Sequence, residues 1–430
     1  VTVPPISRVL LVCALVSALG TPTAQAVSPP QIDDKWLPKP ARPAPASPTV
    51  QREVCAIIAT GSAPSGPPDI LDLSRVWPLT RGAGQRVAVI DTGISRQRLL
   101  PHVVPGGDYV STGDGTQDCD AHGTLVAGII AAEPDSGAPG FGGMAPEATL
   151  ISIRQSSAKF SAAGDRSRAG VGDVETMAKA VRTAADLGAS VINISSVACV
   201  PAASTLDDRA LGAALAYAVD VKNVVVVAAA GNTGGAAQCP PQRSDATWET
   251  VTVAVSPAWY DDYVLTVGSV DNHGAPSAFT LAGPWVDVAA PGEAVTPLGS
   301  EPVSGTSYAA PVVSGLAALI RARFPVLTAR QVMQRIESTA HHPPAGWDPL
   351  VGHGTIDALA AVSTDAAPPQ TSPTPAPAPI ATPPTAAPPN SAARRTALGG
   401  VAVCLAGLGI ALAIGVARGR LRGRNEVAGG

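Results

Sequence analysis

Aromatic residues are scarce in this chain of 430 residues: Phe, Tyr and Trp make up 3% of it, against 46% for hydrophobic residues as a whole. A sizeable core must then be built from Ala, Val, Leu and Ile, which suits helices laid on a buried parallel sheet. Long basic runs are missing too and the formal net charge is -4, so there is no electrostatic footprint for nucleic acid. No Cys-x-x-Cys or clustered Cys/His pattern occurs, which argues against a zinc site; no metal and no cofactor are expected. Histidines number six, and His102, His273, His341, His342 and His353 sit in turn-like or polar contexts that read as solvated surface.

What is present is unevenly distributed. Residues 1–26 have the form of an export signal, with Arg8 closing a short n-region, an apolar run from Val9 to Leu19 and Ala24-Gln25-Ala26 as the cleavage site. Residues 396–417 carry no charge and are long enough for a transmembrane helix. Arg418, Arg420, Arg422 and Arg424 follow it and outnumber Arg394 and Arg395 before it, which keeps the tail, 418–430, in the cytoplasm. Between them, residues 363–395 form a linker rich in Pro, Ala, Thr and Ser. At about 3.1 Å per residue such a stalk holds a domain up to roughly 90 Å from a membrane. Residues 27–72 are a second Pro-rich stretch with Trp36 and Cys55, expected to lie against the domain that follows. Cys13 leaves with the signal and Cys404 falls in the apolar segment, so Cys55, Cys119, Cys199 and Cys239 remain. Four exported cysteines suggest two disulfides, with three connectivities open.

Over 73–362 the pattern changes. Apolar runs such as Arg86–Ile90, Thr149–Ile153, Val191–Ile194 and Val224–Ala229 alternate with helical stretches such as Val174–Leu187 and Leu206–Val219. That alternation predicts an α/β domain around a mainly parallel sheet. Asp91-Thr92-Gly93 follows the first run, at the end of a strand where open α/β sheets place functional groups. His122-Gly123-Thr124 opens the apolar stretch Leu125–Ala132. Gly305-Thr306-Ser307-Tyr308-Ala309-Ala310-Pro311 runs into the helical stretch Val312–Ile320. Ser307 is placed near that helix's amino end, where its N–H and the helix dipole favour a developing oxyanion. Capping alone does not single it out, because Ser304 and Thr306 are also candidates. Gly231-Asn232 ends the strand from Val224, and the Asn232 amide is placed to serve as a second oxyanion donor.

These four segments, D-T-G, H-G-T, A-A-G-N and G-T-S-x-A-A-P, resemble the subtilase family in order and approximate spacing. The resemblance implies a subtilisin-like three-layer fold and a serine endopeptidase. Asp91 would orient His122, His122 would take the Ser307 proton, and Ser307 N–H with Asn232 would hold the tetrahedral intermediate. The α/β-hydrolase elbow, G-x-S-x-G, does not fit, since position 309 is Ala and the acid and histidine precede the serine. The layout of the whole chain resembles the mycosins, membrane-bound subtilases of type VII secretion. That likeness implies a catalytic domain outside the cytoplasm at the cell membrane, an extension that wraps it, exported proteins as substrates and a secretion membrane complex as partner. A structural subunit of that complex with secondary peptidase activity is the alternative reading. The likeness also implies Cys55 paired with Cys119 and Cys199 with Cys239.

Two departures from the subtilase pattern stand out. Ser195-Ser196-Val197 replaces the substrate-binding Ser-Leu-Gly, which should narrow the primary pocket and favour small residues before the cut. Tyr308 replaces a common methionine. Asp114, Asp118 and Asp120 form an acidic loop without EF-hand spacing, expected to be solvated.

Overall fold

The computed structural model describes residues 27–58, 69–134, 142–164, 170–204, 206–235 and 238–363. The export signal, the linker from residue 364, the apolar segment 396–417 and the Arg-rich tail lie outside the described residues. Among those described, no helix is long and apolar enough to cross a membrane.

In chain order the strands and α-helices begin with β1 (Thr49–Gln51), α1 (Leu73–Val76), β2 (Arg86–Asp91), β3 (Val103–Asp108), α2 (His122–Ala131) and β4 (Thr149–Arg154). Next come β5 (Phe160–Ala162), α3 (Val174–Asp186), β6 (Val191–Ile194), β7 (Ala198–Pro201) and α4 (Arg209–Ala216). The last are β8 (Val225–Ala229), β9 (Val253–Ser256), β10 (Leu265–Val270), β11 (Val288–Pro291), α5 (Thr306–Arg323), α6 (Ala329–Thr339) and α7 (Ala358–Val362).

Seven strands form the central sheet in the order β11-β10-β8-β6-β2-β4-β3, and every pairing within it is parallel. The strands β6, β8, β10 and β11 are buried at every residue, as expected where helices cover both faces. Helices α2 and α5 pack against each other, and so do α3 and α4, while α2, α3 and α5 all touch β2. Val, Ile, Leu and Ala fill this core, with Trp285 its largest fully buried side chain. The strand β3 escapes the apolar-run signal because it reads Val-Val-Pro-Gly-Gly-Asp. It lies at the sheet edge, where a proline is tolerated, and Gly106 lets it close on β4: a Cβ there would fall 2.6 Å from Ile153.

The extension runs over the domain. Val27 N–H donates to the Trp248 carbonyl, the Arg209 guanidinium stacks on Trp36 at 3.9 Å, and Pro43 fills the space beside Gly107. Then β1 pairs antiparallel with β5, and Cys55 joins Cys119. The second disulfide joins Cys199 to Cys239. Both pairings are those the mycosin likeness implies.

Candidate active site

Asp91 is the last residue of β2, the strand from which the sheet order departs in both directions. Such a switch point opens a crevice at the strand ends. Asp91 is 2% exposed. Its Oδ1 accepts from Thr92 N–H at 2.7 Å and lies 2.7 Å from His122 Nδ1, while its Oδ2 is buried without a partner. His122, first residue of α2, keeps 29% of its side chain exposed, so the Nδ1 edge of the imidazole meets the carboxylate while part of the ring still reaches solvent. Gly123 makes this approach possible, because a Cβ there would lie 2.2 Å from the Gly93 carbonyl and 3.1 Å from Asp91 Oδ1.

Burial works against a charged imidazole. The Asp91 carboxylate opposes it through its charge and its hydrogen bond, and the charges of Asp118 and Asp120 add to that, so His122 binds its proton above the ordinary value of 6.5. Tyr308 lies beside it, ring centroids 5.3 Å apart. Burial, with the Asp91 and Asp118 charges, pushes its hydroxyl up to about 12, so it stays neutral.

Asp118 departs from the solvated loop expected of it. Its Oδ1 accepts from Thr92 Oγ1 at 2.9 Å, from Asp120 N–H at 3.0 Å and from Ala121 N–H at 2.8 Å. Its Oδ2 accepts from Thr124 N–H at 2.9 Å and Thr124 Oγ1 at 2.6 Å. The carboxylate thus closes the N-terminal turn of α2 and ties the threonines of D-T-G and H-G-T together. Burial nevertheless raises its own proton affinity. The neighbouring acids have separate duties, Asp120 accepting from Ser157 and Ala158 and Asp114 from Thr116. Among the described residues no group of three or more His, Cys, Asp or Glu could hold a metal ion. The two threonines were the available signal for Asp118, since each buried hydroxyl needs a partner.

Ser307 is the second residue of α5, a position whose N–H has no carbonyl to bond within the helix. Neither capping candidate caps: Gly305 is the N-cap, Ser304 Oγ accepts from Ala294 N–H, and Thr306 turns toward Asn232. Asn232 Oδ1 accepts from Thr306 N–H at 2.9 Å and from Thr306 Oγ1 at 3.0 Å, and Thr306 Oγ1 accepts from Gly231 N–H. With Oδ1 committed, Nδ2 is the free end of the amide. A Cβ on Gly305 would sit 3.0 Å from Ser307 Oγ and 3.4 Å from Asn232 Nδ2, so glycine leaves the space between the Ser307 hydroxyl and the amide open.

One cavity is lined by His122, Asn232 and Ser307 together with Ser195, Val197 and the Cys199–Cys239 disulfide. Val197 is shared with an adjoining pocket, which Ser196 lines together with Gln155, Met177 and Leu211. Ser195 differs from its neighbours, because its hydroxyl is bonded to the Ser307 carbonyl. At Gly231 a Cβ would meet Cys239 Sγ at 3.1 Å and Val197 Cγ2 at 3.4 Å, so the disulfide and the valine crowd the same wall.

Residues 82–354 match the sequence model of the Subtilase family. Mycosin-4 of Mycobacterium tuberculosis is 67% identical over 98% of this chain and 98% of its own. The chain belongs to the subtilase family and to its mycosins. This mycosin is therefore a serine protease. The solved MycP3 protease from the type VII (ESX-3) secretion system is 44% identical, covers 79% of this chain and 100% of that one, and superposes with a TM-score of 0.73. A chain of the intact ESX-5 inner membrane complex is 39% identical, with 91% of this mycosin and 100% of that chain covered and a TM-score of 0.72.

Proposed function

We propose that this mycosin is a membrane-anchored endopeptidase of type VII protein secretion, with Asp91, His122 and Ser307 as its triad. The observation that carries the reading is the 2.7 Å contact from Asp91 to His122 at the edge of the cavity that Ser307 and Asn232 also line. Asp91 fixes the imidazole with Nδ1 protonated, leaving Nε2 to take the Ser307 proton as Oγ attacks the peptide carbonyl. Ser307 N–H and Asn232 Nδ2 donate to the oxyanion, and the N-terminus of α5 adds the positive end of its dipole. His122 returns the proton to the leaving amine, and water then hydrolyses the acyl-enzyme.

The crowding by Val197 and Cys239 supports small residues before the cut and a narrow set of exported substrates. Efficient cleavage after Phe or Tyr in a peptide library would refute this preference. The domain layout belongs to the same proposal: signal 1–26, extension 27–72, catalytic domain 73–362, linker 363–395, one membrane helix at 396–417 and a cytoplasmic tail, with the catalytic domain outside. Likeness to a chain of the ESX-5 inner membrane complex favours a second role, steadying such a complex. Ser307→Ala, expressed at wild-type level in a null strain, separates the two roles. Processing of exported proteins should stop while secretion persists; unchanged processing would remove Ser307 from the chemistry.

A further inference from the structure

Helix α5 contains Pro311, four residues beyond Ser307. In an α-helix the carbonyl of one residue accepts the N–H four residues on, and proline has none. The carbonyl of Ser307, in a residue only 9% exposed, is therefore deprived of its helical partner. Another element supplies one: Ser195 Oγ, just past β6, donates to it at 2.9 Å.

The remaining protons follow from that bond. A carbonyl only accepts, so the single hydroxyl proton of Ser195 is committed, and Ser195 Oγ accepts in turn from Asn193 Nδ2 at 2.9 Å. This fixes the orientation of the Asn193 amide, whose Oδ1 accepts from Ser314 Oγ at 2.8 Å. Asn193 and Ser314 are fully buried and Ser195 is 6% exposed. The result is a neutral clasp with both ends on α5, at Ser307 and Ser314, and its middle on and just beyond β6.

We infer that this clasp sets the position of the nucleophile. Ser195, Asn193 and Ser314 are positioning residues that hold the turn carrying Ser307 Oγ and N–H, and Pro311 serves them by clearing the Ser307 carbonyl for a cross-element bond. Ser195 thereby acts through Ser307. The inference rests on the reading of Ser307 as nucleophile.

The test uses the full chain with Ser195→Ala, Ser195→Thr, Pro311→Ala and the Ser195→Ala/Pro311→Ala double variant. Thermal melting checks the fold, and the readouts are kcat and KM on a peptide and the rate of labelling by a fluorophosphonate. Ser195→Ala should lower kcat and labelling about ten- to a hundredfold, the weight of one buried carbonyl left unpaired, with KM little changed. Ser195→Thr keeps the hydroxyl and should restore most of the rate. Adding Pro311→Ala to Ser195→Ala should recover activity severalfold, because residue 311 then offers an N–H to the same carbonyl. A raised KM with kcat unchanged in Ser195→Ala, or a deeper loss in the double variant, would overturn the inference. Should Ser195→Ala fail to fold, Ser314→Ala removes the far proton of the clasp. A smaller fall in kcat supports the inference and an unchanged kcat overturns it. Absence of labelling at Ser307 in the wild type would instead sink the nucleophile reading.

Discussion

Helices α3 and α6 begin with reciprocal capping boxes, Asp173 with Thr176 and Thr328 with Gln331. Helices α2 and α5, which begin at His122 and one residue before Ser307, have no side-chain cap of their own. Their N-caps are Ala121, in the left-handed region at φ 66°, and Gly305. The first pair is capped by its own local residues and bears none of the proposed triad. The second is held by side chains outside the helix, by Asp118 in the loop just ahead of His122 at one end and, from far along the chain, by Asn232 and Ser195 at the other. These holders also differ in charge. Asp118 brings an anion to the histidine helix, where it favours a protonated imidazole, while Asn232 and Ser195 bring no charge to the serine helix and so do not offset the positive end of its dipole.

Four substitutions would sharpen or break this contrast. The largest effect is expected from Asp91→Asn, which leaves the shape but loses control of the imidazole tautomer; kcat should fall by about 10⁴ with KM near normal. Loss of less than tenfold in steady-state kinetics would mean that Asp91 does not orient the base. Asn232→Ala removes the proposed neutral donor at the serine end and should cost about 10²–10³ in kcat; an effect confined to KM would instead make Asn232 a substrate contact.

The third concerns pH. Because the protonated imidazole is favoured in the fold, the acid limb of kcat/KM should have its midpoint above the ordinary value of 6.5. The raised affinity also contributes stability below that ordinary value, lost as pH rises through the folded value. Asp118→Asn removes one of the responsible charges, so the limb should move toward lower pH; a limb that stays in place would show that Asp118 holds the backbone only. The smallest effect is expected at a helix without chemistry. Thr328→Ala should lower stability by about 1 kcal/mol in denaturant unfolding with kcat unchanged, and a fall in kcat would show that the capped helices are coupled to the site.

The segments bearing the site were legible because short motifs and apolar periodicity are local. Arg86–Ile90, Val191–Ile194 and Val174–Leu187 match their elements to within a residue, and His122, Asn232 and Ser307, each read from the few residues around it, line one cavity with Asp91 against His122. By contrast β3 was hidden, since its proline and glycines suit only an edge whose existence the local pattern does not express. Asp118 was read as loop because its partners include Thr92, 26 residues earlier.

By itself, then, the sequence determined the parallel α/β class, the four segments proposed to carry the chemistry and the four cysteines that pair, all readable from neighbouring residues. Only the tertiary structure decided the strand order, the commitment of Asn232 Oδ1 to Thr306, 74 residues away, and the bond from Ser195 to Ser307 across 112 residues. A hydroxyl or an amide in a sequence declares what it can donate and accept. Which of its options is used depends on what burial brings within 3 Å and on which partners, such as the carbonyl freed by Pro311, lack any other.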